Sequence, residues 1–224
     1  MSRAAIQARH CIAVLGGSFD PVHNGHVALG SYFARLLQAD ELRVIPAGNP
    51  WQKHGLHASP MQRVAMVEAA FAGLQVPVVI DQQEIRRPCA TYTITTLRAL
   101  RAEFGPEPSI AFLIGADQLL HLESWQEWRE MFDYAHICAA SRPGFAIDDT
   151  HVSPAVRTLF GQRAGSVARI REAAHGCSYL AHDLSVDISA TDIRARLERD
   201  ERPEKLVPAG VLDYIEQHKL YKRS

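Results

Sequence analysis

The chain of 224 residues has a formal net charge of −1 and 47% hydrophobic residues, a composition typical of a packed globular protein. Its length allows one or two domains, and we expect a single domain over 1–224 because no internal repeat or low-complexity linker occurs. The near-neutral charge argues against a general attraction to nucleic acid or to anionic membranes. Any anion that binds must therefore be held by local groups.

The cysteines are widely spaced and form no C-x-x-C pair, which argues against a zinc site and against a disulfide framework. No apolar stretch approaches the roughly 18 residues of a membrane span, and the N-terminal sequence lacks the apolar core of a signal peptide. We therefore expect a cytoplasmic protein that does not bind membranes.

Short apolar runs alternate with segments of helical period through the first 140 residues. One helix is predicted to start at Ser59-Pro60, with Gln62 completing a capping box and Gly73 ending it, and another to lie within 119–132. Strands that alternate with helices predict an α/β fold, a Rossmann-like doubly wound parallel sheet with helices on both faces. The predicted strands are CIAVL from Cys11, ELRVIP from Glu41, VPVVID from Val76, SIAFLIG from Ser109 and AHICAA from Ala135.

The pattern weakens in the second part of the chain. We interpret 144–178 as a variable connection with some helix, because Gly, Ser, Pro and Arg are scattered through it. A last strand is predicted at YLAH, followed by a small helical part over 188–221 with helices from about Ala190 and about Pro208.

The stretch GGSFDPVHNGH follows the first predicted strand. Gly16 and Gly17 let a bulky anion approach the backbone, and a helix starting near Asn24 would point unpaired N–H groups at the same space. The stretch is neither a GxGxxG nor a Walker loop, and its distinctive pair is His23 and His26. A metal pair is an alternative, although no third ligand stands at a telling spacing, and so are histidines that only cap the turn.

These residues resemble a known family. GGSFDPVHNGH resembles the GxFDPxHxGH signature of the HxGH nucleotidyltransferase superfamily of adenylyl- and cytidylyltransferases, and ISATDIR at 188–194 resembles its ISxTxIR motif. The segments ATYT, IGADQLLHLESW, SRPG and VLDYIEQHKLY are similar to those of bacterial nicotinate-nucleotide adenylyltransferases. The resemblance covers nearly the whole chain except 144–178.

The resemblance implies an enzyme of pyridine nucleotide (NAD) biosynthesis that transfers AMP from ATP to nicotinate mononucleotide, giving deamido-NAD and pyrophosphate. A phosphate monoester has a second pKa near 6, so the attacking group is already dianionic at neutral pH and needs no general base. The implied catalytic residues are His23, His26 and Arg194. Residues implied to bind ATP and its phosphates are Gly16, Gly17, Ser18, Phe19, Lys53, Ser189 and Thr191.

We expect Mg²⁺ to arrive with ATP and to keep most of its waters, so that no protein metal ligands are predicted. Lys53 lies in PAGNPWQKH, where the family often carries PxxxPPHR, and a lysine keeps the charge but not the fork of an arginine. Ser189 is predicted to cap the helix of the second signature, with Asp192 at a box-like spacing. The alternative is a capped amphipathic helix with no other role.

The resemblance assigns nicotinate and ribose binding to a second set of residues, with Trp125 stacking on the pyridine ring. A core tryptophan with a satisfied N–H is the alternative for Trp125, and a surface arginine is the alternative for Arg142. The full set is Tyr92, Thr93, Asp117, Trp125 and Arg142.

Two functional alternatives and the assembly state stay open from the sequence. The acceptor could be nicotinamide mononucleotide or phosphopantetheine, and the chain could be a nucleotide-binding regulator that has lost turnover. A homo-oligomer is one option for the assembly state.

Overall fold

The computed structural model describes residues 9–50, 55–141, 151–182, 184 and 188–222. The predicted site residues Lys53 and Arg142 lie outside the described residues. Within the described residues, six strands form one parallel sheet in the order β3-β2-β1-β4-β5-β6. The strands are β1 (Cys11–Gly17), β2 (Glu41–Pro46), β3 (Val78–Ile80), β4 (Ser109–Gly115), β5 (His136–Ala140) and β6 (Ser178–Ala181).

Helices connect the strands and follow the last of them. Between β4 and β5 the chain forms short 3₁₀ turns over 116–120, 122–124 and 130–133. The α-helices are α1 (Asn24–Leu36), α2 (Pro60–Phe71), α3 (Thr93–Phe104), α4 (Pro154–Arg163), α5 (Val167–Glu172), α6 (Ala190–Leu197) and α7 (Ala209–Gln217).

Alternate residues of β1 point to opposite faces of the sheet, as the period of a strand requires. Ala13 and Leu15 belong to a core shared with α1, α2, α5, α6 and α7. Ile12 and Val14 belong to a second core shared with α3, α4 and the 3₁₀ turns. Both faces of the sheet are thus covered, and the predicted Rossmann-like fold class is confirmed.

The local predictions differ in outcome. The capping box at the start of α2 is formed, since Ser59 Oγ accepts from Gln62 N–H and the Gln62 side chain accepts from Ser59 N–H. The helix ends at Phe71, with Ala72 as the C-cap and Gly73 directly after it. A continuous helix over 119–132 was wrong: Trp125 is extended and Glu127 has a φ of 51°, and these two residues break the segment into turns.

The sheet order determines where a ligand can bind. The order reverses between β1 and β4, so their connections leave in opposite directions and open a crevice at the carboxyl ends of these strands. Among the described helices, none is long and apolar enough to cross a membrane.

Candidate active site

A cavity of about 750 Å³ opens at the carboxyl ends of β1 and β4, a volume typical of small-molecule sites. It brings together most of the residues that the sequence indicated, from four separate segments of the chain. The predicted residues that line it are Gly16, Gly17, Ser18, His23, His26, Thr93, Asp117, Trp125, Ser189, Thr191 and Arg194.

The two signature histidines lie at the start of α1. His23 is the N-cap residue in an extended conformation, and its backbone N–H donates to Nδ1 of His26 at 3.2 Å. The two rings stack with their centroids 3.7 Å apart. Since Nδ1 of His26 accepts a hydrogen bond, the neutral ring carries its proton on Nε2. The described part of the chain contains no group of three or more His, Cys, Asp or Glu residues placed to hold a metal ion.

Phe19 differs from its predicted place in the phosphate site. Its side chain is fully buried and does not line the cavity. The ring packs edge-on against His26 at 4.9 Å and lies beneath Gly17, where a Cβ would stand only 3.0 Å from it. Phe19 therefore supports the loop from behind, and Gly17 is glycine because the ring approaches so closely.

The second signature is in direct contact with the first. Arg194 in α6 donates from one terminal nitrogen to the carbonyl of Asp20 at 2.6 Å and from the other to Thr191 Oγ1 at 3.3 Å. Ser189 is the N-cap residue of α6, but the predicted capping hydrogen bond is not made. The Asp192 side chain accepts from Arg196 one turn later, at 3.0 Å.

Asp20 is a buried carboxylate whose role the sequence did not indicate. Its oxygens accept hydrogen bonds from the backbone N–H groups of His57 and Ala58 and from the Tyr221 hydroxyl. Burial would raise the pKa of Asp20, but the bond from Tyr221 and the two backbone donors outweigh it and hold the pKa below its ordinary value. Asp20 is thus an ionised group that joins three distant segments.

Arg63 is a second buried charge near this carboxylate. It is fully buried in α2 and donates to the carbonyl of Ser18 at 2.8 Å and to that of Gly48 at 3.5 Å. It therefore links the loops after β1 and β2. The burial of Arg63 could have been predicted from the sequence, because Arg63 shares a helical face with the apolar residues Val67 and Phe71.

The opposite end of the cavity is built around α3, which starts at Thr93. Tyr92 is its N-cap residue and makes no side-chain capping bond. The ring of Tyr92 packs against the second core and does not line the cavity; its predicted place near the nicotinate stays a prediction. A helix start with an uncovered first turn offers N–H donors and a positive dipole to an anion, and Thr93 lines the cavity at this point.

Trp125 and Asp117 complete this end. The Trp125 ring lies edge-on to Phe112 with centroids 6.4 Å apart, and its buried Nε1 has no hydrogen-bond partner among the described residues. The alternative of a core tryptophan whose N–H is hydrogen-bonded is therefore not supported for Trp125. Asp117 follows β4, lies against the Cα of Gly115 and accepts from the Gln118 side chain at 3.0 Å.

Glu84 and Thr96 are cavity-lining residues that the sequence did not single out. Thr96 Oγ1 donates to Glu84 Oε1 at 2.6 Å and accepts from Arg87 at 2.9 Å. Burial raises the pKa of Glu84 against the opposing effect of this hydrogen bond. Gly48 must be glycine here, because a Cβ would overlap the backbone carbonyl of Glu84.

Comparison with known proteins supports the same class of fold and site. The family model described as cytidylyltransferase-like matches residues 14–196. A structure of Plasmodium falciparum nicotinic acid mononucleotide adenylyltransferase complexed with NaAD superposes with a TM-score of 0.72 at 19% identity, over 94% of this chain and 97% of that one. This likeness supports the fold. Fold and family model together define a nucleotidyltransferase.

Curated relatives narrow the class. A protein of Herminiimonas arsenicoxydans, described as a probable nicotinate-nucleotide adenylyltransferase, is 66% identical over 95% of this chain and 97% of its own length. One from Chromobacterium violaceum with the same description is 42% identical over 94% of this chain and 98% of its own length. The chain belongs to the nicotinate-nucleotide adenylyltransferase family, and the predicted family and enzyme class are confirmed.

Proposed function

We propose that this cavity transfers the AMP group of ATP to the 5′-phosphate of nicotinate mononucleotide, giving deamido-NAD and pyrophosphate. The observation that carries the proposal is the joining of two different anion sites in one cavity. Two imidazoles and Arg194 line the same cavity as the start of α3 at Thr93 and the side chain of Trp125. A transfer between two phosphorylated substrates needs both sites at once.

ATP is assigned to the end built by β1, α1 and α6. Gly16 and Gly17 line this end beside the triphosphate, and the histidine pair supplies N–H donors to it. Arg194 brings a charge to the leaving pyrophosphate. Ser18, Ser189 and Thr191 line the same end and are assigned to hydrogen bonds with the phosphate oxygens.

The chemical step needs positioning more than proton transfer. An oxygen of the acceptor phosphate attacks the α-phosphorus, a new P–O bond forms, and the bond to the bridging oxygen breaks as pyrophosphate leaves. The attacking phosphate is already dianionic near neutral pH. The residues at the ATP end therefore act by holding both anions in line and by stabilising the charge that develops on the leaving group.

Nicotinate mononucleotide is assigned to the end built by α3 and the 3₁₀ turns. The first turn of α3 at Thr93 offers backbone donors to the pyridine carboxylate. Trp125 is assigned to the face of the pyridine ring. Its Nε1, which has no hydrogen-bond partner among the described residues, is expected to gain one when the substrate binds. Asp117 at the end of β4 is assigned to ribose hydroxyls.

We propose Mg²⁺ as a partner of ATP rather than as a resident of the protein. The donors at the ATP end are imidazole, N–H and guanidinium groups, which suit phosphate oxygens and do not suit Mg²⁺. When bound with ATP, the ion neutralises phosphate charge. Its coordination is thus assigned to ATP oxygens and water.

A cytoplasmic location is supported by cysteine chemistry. The four cysteines are free thiols, and Cys89 is exposed. Free thiols at a protein surface are typical of a reducing compartment.

The test is pyrophosphate release by the purified chain with ATP and Mg²⁺. We expect release only after nicotinate mononucleotide is added, and one pyrophosphate for each dinucleotide formed. His26→Asn keeps a side-chain acceptor for the His23 backbone N–H and serves as a folded, inactive control. If the wild-type protein releases no pyrophosphate with both substrates present, the proposal is wrong.

A further inference from the structure

Tyr221 lies just past α7, at the far end of the sequence from the first signature. Its side chain is buried, with 8% of its surface exposed. Its hydroxyl donates to Asp20 Oδ1 at 2.7 Å across 201 positions of sequence. The C-terminal turn is thus in direct contact with the loop that carries the signature histidines.

The backbone that delivers Tyr221 adopts an unfavourable conformation. Lys219 and Tyr221 have φ values of 51° and 59°, in the left-handed region that a bulky side chain rarely occupies. Leu220 N–H donates to the Ile215 carbonyl at 3.0 Å and holds the turn against α7. Such outliers persist where surrounding contacts require them, and the contact that this turn delivers is the hydroxyl on Asp20.

Asp20 transmits the contact to the ATP end. Its carboxylate is held by Tyr221 and by the backbone N–H groups of His57 and Ala58, while its own carbonyl accepts the 2.6 Å hydrogen bond from Arg194. Three hydrogen bonds hold the Asp20 side chain in place, and this restricts the position of the Asp20 backbone carbonyl. The orientation of the Arg194 guanidinium in turn depends on this carbonyl, to which it donates.

We propose that Tyr221 is a positioning residue for ATP, which acts through Asp20 to aim Arg194 at the phosphates. Burial and the bond to Asp20 raise the pKa of Tyr221 well above its ordinary value, so the hydroxyl remains a donor. The inference rests on the proposed role of Arg194 toward ATP. It assigns a functional contact to the C-terminal turn, outside both signatures.

The test is Tyr221→Phe, which removes the hydroxyl and keeps the ring. We expect kcat/KM for ATP to fall about tenfold, as coupled polar groups do when one is removed, while KM for nicotinate mononucleotide stays within about twofold. Tyr214→Phe is the matched control and should behave as wild type; Tyr214 lies in α7, and its ring contacts that of His218 with centroids 4.2 Å apart. Thermal melting of each variant sets an assay temperature at which it is folded.

A binding cycle separates positioning from a structural role. The dissociation constant of ATP is measured for wild type, Tyr221→Phe, Arg194→Ala and the double variant, which requires no turnover. We expect Tyr221→Phe to weaken ATP about tenfold with Arg194 present and less than about twofold without it. An equal factor in both backgrounds, an equal loss for both substrates, or wild-type behaviour of Tyr221→Phe overturns the inference.

A second variant and a control experiment complete the test. If Tyr221→Phe does not fold, Asp20→Asn breaks the same link from the other side, and an unchanged ATP dissociation constant would then overturn the inference. If wild type binds ATP but makes no dinucleotide from nicotinate mononucleotide, the proposed function fails on its own. The binding cycle still decides the role of Tyr221 in that case.

Discussion

At the ATP end of the cavity Arg194 is held by a loop that the buried carboxylate of Asp20 fixes, whereas at the acceptor end Trp125 stands on short 3₁₀ turns. Arg194 donates to the backbone carbonyl of Asp20, and the carboxylate of Asp20 accepts from three donors. Trp125 stands between two short 3₁₀ turns with its Nε1 unpartnered in the described part of the chain. A rigid end suits the phosphates that every adenylyl transfer shares, and a less supported end suits the part of the site that selects the acceptor.

The largest effect is expected from His26→Ala at the rigid end. Removal of a preorganised donor from a developing charge typically costs about 10²- to 10³-fold in kcat, and the KM for nicotinate mononucleotide should change little. Steady-state kinetics with each substrate varied measures both quantities.

His26→Asn separates the catalytic role of the imidazole from its structural role as acceptor for the His23 backbone N–H. An asparagine can accept from the His23 backbone N–H, as Nδ1 of His26 does at 3.2 Å, so this variant should melt close to wild type and lose as much kcat as His26→Ala. A kcat like that of wild type in either variant would remove His26 from the catalytic residues.

A buried histidine at the other end of the sheet is expected to dominate stability in mild acid. His136 at the start of β5 donates from Nε2 to the Ala173 carbonyl and accepts at Nδ1 from the Cys177 backbone N–H. Both bonds suit the neutral ring only, and burial lowers the pKa of His136 to about 4. The unfolded chain takes up a proton near pH 6.5, so the free energy of unfolding falls as the pH drops from about 6.5 to about 4.

The size of this loss is about 3 kcal/mol, at 1.36 kcal/mol per pH unit. Denaturant unfolding across this range should show the slope in wild type and in the exposed-histidine control His121→Gln, but not in His136→Gln. The difference between variants is the test, because the raised pKa of Glu84 contributes the opposite sign. Equal slopes in all three proteins would contradict the assignment.

At the acceptor end, Trp125→Ala should raise KM for nicotinate mononucleotide about tenfold, since an aromatic pair contributes roughly 1 kcal/mol beyond burial of area. The KM for ATP should stay unchanged. Trp125→Phe keeps an aromatic face and should recover most of the loss. A rise in both KM values would mean that Trp125 supports the whole cavity rather than the acceptor alone.

The smallest effect is expected from Thr96→Val, which keeps the shape and removes the hydroxyl between Glu84 and Arg87. The free energy of unfolding should fall by about 1 kcal/mol, and KM for nicotinate mononucleotide should rise a few-fold, about threefold. Thr95→Val, at an exposed neighbouring position, is the matched control. Identical melting of the two variants would show that the hydroxyl is not needed.

Local sequence patterns predict some elements of the fold correctly and others wrongly. Strands such as Ser109–Gly115 and the capping box at Ser59 depend on neighbours in sequence, and the structure confirms them. The segment 119–132 has buried apolar residues at helical spacing, but a series of 3₁₀ turns can bury the same residues, and the period alone does not distinguish the two.

Long-range contacts explain most of what the sequence could not predict. The bond between Tyr221 and Asp20 joins residues 201 positions apart, and no local pattern encodes it. Ser189 is the N-cap residue of α6 as predicted but makes no capping hydrogen bond, and its spacing to Asp192 does not reveal this. Arg63 was detectable as a charge on an apolar helix face, although its partners at Ser18 and Gly48 were not.

The most direct test compares the acid and the amide acceptors. With ATP labelled at the α-phosphorus, kcat/KM is measured for nicotinate mononucleotide and for nicotinamide mononucleotide. A site whose backbone donors at Thr93 receive a carboxylate should favour the acid by at least about 100-fold, because the amide leaves those donors poorly matched. The label should appear in the dinucleotide and not in pyrophosphate. Equal values for the two acceptors, or label in pyrophosphate, would contradict the assignment of this cavity.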